Sequence, residues 1–367
     1  MKALLSFVLF LGLVYACAQP GKYVIQGTVA EGNPEVLLTT LNAQGKVDTL
    51  QQVKVEDGKF RMTGELKKPE ICFLQIAGKK DRMPVLLEDT IFDINIRSFE
   101  LADVRNFTIN GGLLQKEKNV LDRKEIHIFK DRDSVLTAYY QAEKEGNIFG
   151  KMHLAARLQV MGEIYDQAEN ECIAANNDNI LGVCLIYYRY KHLNYEDLKL
   201  KYEMLSEAMR NTPEGRLIGL RYEKLGEVKT GALAPDFTLP SLSGETVRLH
   251  GLSARVKIVD FWASWCGPCR RENKHLVKVY EKFKDQDVVM ISVSMDTDRK
   301  AWEKAVQADG LKWMQLSDLE GMDSRMARDY RITGIPQIFI LDGNNKIIGE
   351  GLRGEEIDRL VEKRLQE

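Results

Sequence analysis

The chain has 367 residues, 44% hydrophobic and 29% charged, with a formal net charge of −2. That length exceeds one ordinary domain, so two or three are expected. The near-zero charge without a basic run excludes a nucleic-acid surface and a polybasic membrane face, and no internal repeat or low-complexity tract is visible.

The first twenty residues, MKALLSFVLFLGLVYACAQP, place Lys2 ahead of an apolar run from Ala3 to Ala16. The run is too short to span a bilayer and has the build of a secretory signal. Two exits compete. Ala16-Cys17-Ala18 fits the small-x-small pattern before an ordinary cut, giving a signal over 1–18. Val14-Tyr15-Ala16-Cys17 instead resembles a bacterial lipobox, giving a signal over 1–16 with Cys17 acylated, although Tyr15 is larger than that pattern prefers. Both exits send the chain to the periplasm or cell envelope, and acylated Cys17 would anchor it to a membrane. An exported chain meets an oxidising compartment. Five cysteines then remain: Cys72, Cys172, Cys184, Cys266 and Cys269.

Residues 22–112 read as a small antiparallel β sandwich or barrel. YVIQGTVA, EVLLTT, VDTLQQVKV, KFRMTGEL, ICFLQIAG and IFDINI are short apolar or alternating runs. Asp57-Gly58 between two of them is a hairpin signal, and Pro34, Pro69 and Pro84 read as loop punctuation. Cys72 lies mid-strand and reads as a small buried hydrophobe.

Residues 113–228 turn helical. Leu154, Leu158, Met161, Tyr165, Ala168 and Cys172 recur at helical spacing and predict one continuous stripe. Asn176 to Asn179 break it, and LGVCLIYYRY follows. Cys172 and Cys184 flank that turn; bonded and free states both remain open, since sequence does not give their separation. Thr212-Pro213-Glu214 reads as an N-cap, a first-turn proline and an early acid.

Residues 231–367 alternate strand and helix. RVKIVDFWA and DVVMISVSM read as buried strands, AWEKAVQADG as an amphipathic helix stopping at Gly310, PQIFILDGNNKIIGEG as a hairpin and EEIDRLVEKRL as a final helix. The expected architecture is multidomain: a layered α/β C-terminal domain behind a β domain and a helical region.

Within FWASWCGPCRRE, Cys266 and Cys269 enclose Gly267 and Pro268. A structural zinc site needs four ligands. There is no second CxxC, and the five histidines are scattered. A permanent staple closing so short a loop restrains the unfolded chain little. A redox couple explains more of the residues. Cys266 falls where a strand gives way to a helix, so unpaired N–H groups and the helix dipole favour its thiolate. Cys269, one turn on, can attack a mixed disulfide formed at Cys266. Pro268 suits the first turn. Asp260 reads either as a carboxyl in a buried strand, with the raised pKa of a proton relay for Cys269, or as a strand-end aspartate that reaches water. No cofactor and no metal is called for.

VDFWASWCGPCRRE resembles the active-site run of thioredoxin. With APDF ahead of it and GIPQIFILD behind it, the unit from Gly231 onward is similar to the TlpA/ResA-like family of exported thiol-disulfide oxidoreductases. The preceding residues are similar to the N-terminal extension found before such domains in Bacteroidetes envelope proteins. The resemblance implies a thioredoxin fold in the C-terminal domain. It implies that Cys266 attacks and Cys269 resolves, with Trp265 packing beside the pair. It implies a cis peptide at Pro336, whose loop faces the sulfurs and pairs with substrate backbone through Ile335, and a buried acid at Asp260 beneath the disulfide. Gly267 and Pro268 complete the surface a client meets. Glu272 sits where the family carries a Glu near its dithiol, although Asn273-Lys274 replaces the proline that commonly follows. Its other reading is a solvated first-turn acid. Asp296 to Tyr330 is similar to the family's βα insertion, and Trp262 reads as core. The implied partners are exported proteins with disulfides, apocytochrome c among them, and a membrane thiol electron donor.

Two rivals stand beside this reading. APDFTL also opens peroxiredoxins, but those carry Thr three residues before the reactive Cys, where this chain has Ala263. A non-enzymatic envelope scaffold is the other, and the intact Cys-Gly-Pro-Cys opposes it.

Overall fold

A computed structural model describes residues 21–367. The expected signal segment and Cys17 lie outside them. The chain divides into two compact units, residues 1–184 and 185–367.

In the first unit, β1 (Gly21–Val29), β2 (Glu35–Leu41), β3 (Val47–Lys54), β4 (Lys59–Leu66), β5 (Glu70–Ile76), β6 (Arg82–Leu87), β7 (Ile91–Ile96) and β8 (Phe107–Asn110) form two sheets. Their orders are β4-β1-β7-β8 and β3-β2-β5-β6. Alternate side chains of both, among them Ile25, Leu38, Met62, Leu74, Val85 and Phe92, share one core. Asp57 and Gly58 both take positive φ, as a two-residue type I′ turn requires. The strands joined by that turn belong to different sheets, so it forms a corner between them.

Two expectations are corrected here. The sandwich is not wholly antiparallel, because β1 pairs with β7 in parallel. Pro84 is not in a loop but within β6, opposite Phe73. Because β6 is an edge strand, a missing N–H need not break a ladder on its open side. The proline hid β6 from the pattern, and β8 was too short to stand out.

Four helices follow: α1 (Leu113–Ile128), α2 (Arg132–Lys144), α3 (Ile148–Ala175) and α4 (Ile180–Arg189). The buried stripe of α3 is Met161, Tyr165, Glu169 and Ile173, so Leu154, Leu158, Ala168 and Cys172 are only half-buried. Cys72 and Cys184 are buried, and Cys172 is a half-buried free thiol. The helical region expected as one body over 113–228 is split. Its later helices, α5 (Tyr195–Met204), α6 (Glu207–Arg210) and α7 (Pro213–Gly226), belong to the second unit. Thr212 caps α7, its Oγ1 accepting from the Gly215 N–H at 3.1 Å, with Pro213 in the first turn.

The second unit continues through β9 (Thr238–Pro240), β10 (Thr246–Arg248), β11 (Val256–Trp262), α8 (Gly267–Phe283), β12 (Val288–Ser294), α9 (Arg299–Asp309), β13 (Met314–Leu316), α10 (Arg325–Asp329), β14 (Gln337–Asp342), β15 (Ile347–Glu350) and α11 (Glu355–Gln366). The main sheet runs β13-β12-β11-β14-β15. Strands β11, β12 and β13 are parallel; β14 pairs antiparallel with β11, and β15 antiparallel with β14. Every residue of central β11 is buried, which explains its unbroken apolar reading. Helix α8 buries Cys269, Asn273, Leu276, Val279 and Phe283, one face at helical spacing. Each large apolar side chain there contributes roughly 1.5–3 kcal/mol. That anchoring holds the helix N-terminus, and the dithiol with it, at the end of β11. Gly310 ends α9 in the left-handed region, with φ of 69°.

Candidate active site

The turn between β11 and α8 is held from two sides. Buried Asp296 accepts the Ser264 N–H at 2.9 Å and the Ser264 hydroxyl at 2.5 Å. Arg270, paired with Asp309, donates to the Ser264 carbonyl at 3.2 Å. The next residues enter the helix in one orientation. Cys266 is the N-cap, its Sγ accepting from the Cys269 N–H at 3.2 Å. A sulfur there receives a backbone donor and the positive end of the helix dipole.

Cys266 and Cys269 are joined as a disulfide. Their surroundings are unequal: Cys266 retains 5% of its surface and Cys269 none. Gly267 and Pro268 are exposed beside Cys266. Trp265, expected beside the pair, is 62% exposed. The Ile335 carbonyl lies 3.6 Å from Cys266 Sγ, and the Ile335–Pro336 bond is cis. The structure thus brings one sulfur to the rim beside the carbonyl of the cis-proline loop, with its partner behind it.

Asp260 lies in β11 opposite Ser292 of β12 and is 2% exposed. Burial pushes its carboxyl up to about 7, against the Ser292 hydroxyl, which donates to Oδ2 at 2.9 Å. Trp313 Nε1 in turn donates to Ser292 Oγ at 2.8 Å, fixing which way that hydroxyl points. Of the nearby charges, Arg353 favours the ionised form and Glu272 opposes it. A carboxyl that changes charge near neutrality can take a proton from a buried thiol and return it.

Glu272 is neither in the first helical turn nor free in solvent, as its bland reading required. Helix α8 runs unbroken past it, and its Oε1 accepts from the Gly354 N–H at 2.9 Å. The absent proline does not disturb the helix, because Asn273 is buried and donates to Asp309 at 2.8 Å. Gly354 follows Arg353, whose guanidinium donates to the Pro336 carbonyl and, at 2.7 Å, to that of Leu352. Burial disfavours the charge on Arg353, which Glu272 and Asp260 offset. Arg353 therefore links Asp260, Glu272 and the cis-proline loop. Sequence reading missed it along with Ser264, Ser292 and Asp296. Only the Leu-Arg-Gly ahead of the last helix marked its place, and nothing there signalled a contact 17 residues back. Among the described residues, no group of three or more His, Cys, Asp or Glu is placed to hold a metal ion.

Comparison with known proteins adds a family to this geometry. A family model described as the AhpC/TSA family matches residues 230–349, and one described as a domain of unknown function, DUF4369, matches residues 23–117. The curated thiol-disulfide oxidoreductase ResA of Bacillus cereus is 26% identical over 145 residues, covering 40% of this chain and 82% of its own. ResA of Geobacillus kaustophilus is 29% identical over 138 residues, covering 37% and 78%. The solved thioredoxin domain of a thiol-disulfide oxidoreductase from Bacteroides vulgatus is 34% identical, covering 37% of this chain and 98% of that one, at a TM-score of 0.36. A thiol-disulfide oxidoreductase from Bacteroides fragilis is 32% identical, covering 36% and 98%, at a TM-score of 0.35.

Proposed function

We propose, from the membership of the C-terminal domain in the TlpA/ResA-like thiol-disulfide oxidoreductases of thioredoxin fold, that this protein reduces disulfides of exported clients in the cell envelope. The observation that carries the reading is the pairing of a rim sulfur and a buried sulfur at the start of α8, beside the Ile335 carbonyl.

In the reduced protein, the Cys266 thiolate attacks one sulfur of a client disulfide. The client S–S bond breaks, and the departing client thiolate takes a proton from water. Asp260 accepts the Cys269 proton, and the Cys269 thiolate attacks Cys266 Sγ. The second client thiolate leaves and is protonated. The client gains two electrons and two protons; the protein becomes the 266–269 disulfide. A membrane dithiol donor returns it to the reduced form and is itself oxidised. Gly267 and Pro268 between the cysteines favour a potential near the reducing end, about −270 mV, and a value above about −150 mV would mark an oxidant instead. Export to the envelope, acylation at Cys17 and apocytochrome c as a client belong to the same proposal.

A peroxidase is disfavoured at Ala263. It is fully buried and has no hydroxyl to offer a peroxide. The deciding experiment is trapping. Cys269→Ala, expressed with its native leader, should accumulate Cys266-linked mixed disulfides identifiable by mass spectrometry. Absence of adducts while Cys266 remains alkylatable would remove the attacking thiol.

A further inference from the structure

The loop that carries Ile335 is held from outside the α/β layers. Helix α7 sends Arg221 to it: Nη1 donates to the Arg331 carbonyl at 3.0 Å and Nη2 to Thr333 Oγ1 at 3.5 Å. The Thr333 hydroxyl donates to the Lys191 carbonyl, just beyond α4, at 2.7 Å. The Arg331 side chain pairs with Glu227 at the end of α7. Arg331 itself has a φ of 57°, a conformation a non-glycine residue rarely takes without surrounding support. On the far side, Arg353 holds the Pro336 carbonyl. The loop is thus gripped at 331, 333 and 336. Gly334 and Ile335 lie between the grips, and the Ile335 carbonyl meets Cys266 Sγ.

Arg221 is built for this contact. Its Nε is buried without a hydrogen-bond partner, a cost that a solvated arginine would avoid. Its forked donors instead reach two consecutive anchors on one loop. A helix that merely covered the sheet would need only an apolar face.

We infer that the α7 helix, through Arg221, with Thr333 and the Lys191 carbonyl, is part of the client-binding apparatus: it sets the loop so that the backbone at Ile335 can pair with an extended client chain crossing Cys266. Arg221 is a positioning residue, since it touches neither sulfur. The inference rests on the thiol-exchange reading and assigns the helical segment before the α/β layers a role in it. It also specifies the client class. A polypeptide uses backbone pairing along the loop, whereas a small disulfide needs only the sulfur.

The test compares two disulfides as substrates of full-length protein that a dithiol, dithiothreitol, returns to the reduced form after each turnover: insulin as the polypeptide and 2-hydroxyethyl disulfide as the small molecule, each corrected for the rate with dithiothreitol alone. Arg221→Ala removes donors of the charge-assisted kind, so KM for insulin should rise roughly tenfold with kcat little changed. The rate constant with 2-hydroxyethyl disulfide should stay within about twofold. Thr333→Val, at an exposed position, should reproduce the split more weakly and serves if Arg221→Ala does not fold. A parallel loss with both disulfides, or no change with insulin, overturns the inference. A wild-type protein inert toward both defeats the exchange reading itself, and this one with it.

Discussion

At the scale of single residues, chemistry here depends on where a charge is tolerated. Asp260 keeps its proton in the folded state up to about 7, whereas an unfolded chain releases it near 3.9. Between those values the native state holds more protons than the unfolded one, so stability falls as pH rises, by roughly 1.4 kcal/mol per pH unit. Above 7 the contribution is flat. Asp260→Asn keeps an acceptor for Ser292 but has nothing to ionise. Its stability relative to wild type should therefore be several kcal/mol more favourable at pH 8 than at pH 4, as read by urea denaturation at the two pH values. Arg353 is the cation that favours ionised Asp260. Arg353→Met should make the carboxyl ionise at higher pH, moving the acidic limb of the insulin-reduction profile toward alkaline pH. An unmoved limb would separate Asp260 from the relay.

At the scale of elements, each piece of the site is delivered by an ordinary helix or strand end. Cys266 caps α8, where the helix dipole favours a thiolate, and α8 stays in place because its apolar face is buried. Helix α7 follows the same logic at the other side of the loop. Thr212 caps it in both directions, accepting from Gly215 and donating to the Met209 carbonyl at 2.7 Å. Thr212→Ala should cost about 1 kcal/mol in urea denaturation while leaving Cys266 and Cys269 able to form their disulfide. These caps were readable in advance: Thr212-Pro213-Glu214 and the Gly310 stop both fall at observed helix ends. Pro84 was not, because whether a strand tolerates proline depends on its place in the sheet. The α3 stripe was displaced for a similar reason. Which of two apolar faces is buried depends on the neighbouring helices, not on the helix's own period.

At the scale of the whole molecule, two separate cores coexist, and Val228 just after α7 belongs to the one that surrounds Cys266 and Cys269. The five cysteines of the described residues are accordingly ranked by burial. Cys72 and Cys184 are buried, and Cys172 is half-buried, its thiol pushed up by burial and by Glu117. Alkylation of the reduced native protein at pH 7 should label Cys266 first and Cys172 slowly. Cys72, Cys184 and Cys269 should react only when denaturant is added. Mass spectrometry of peptides at successive times reads the order, and early labelling of Cys72 would contradict the sandwich core.

By itself the sequence determined the dithiol, its helical setting, a carboxyl in a buried strand and the strand-helix alternation around them, all of which follow from neighbours a few residues apart, since periodicity, capping and turn chemistry act locally. The cis-proline position came instead from the resemblance to a known family. Only the tertiary structure decided that Glu272 answers Gly354, that Arg353 joins Asp260 to the proline loop, and that α7 grips that loop from 110 residues away. A hydrogen bond between distant segments leaves no spacing in the chain. It exists because packing brings two ends together, and a lone arginine reads the same whether it faces water or a backbone carbonyl.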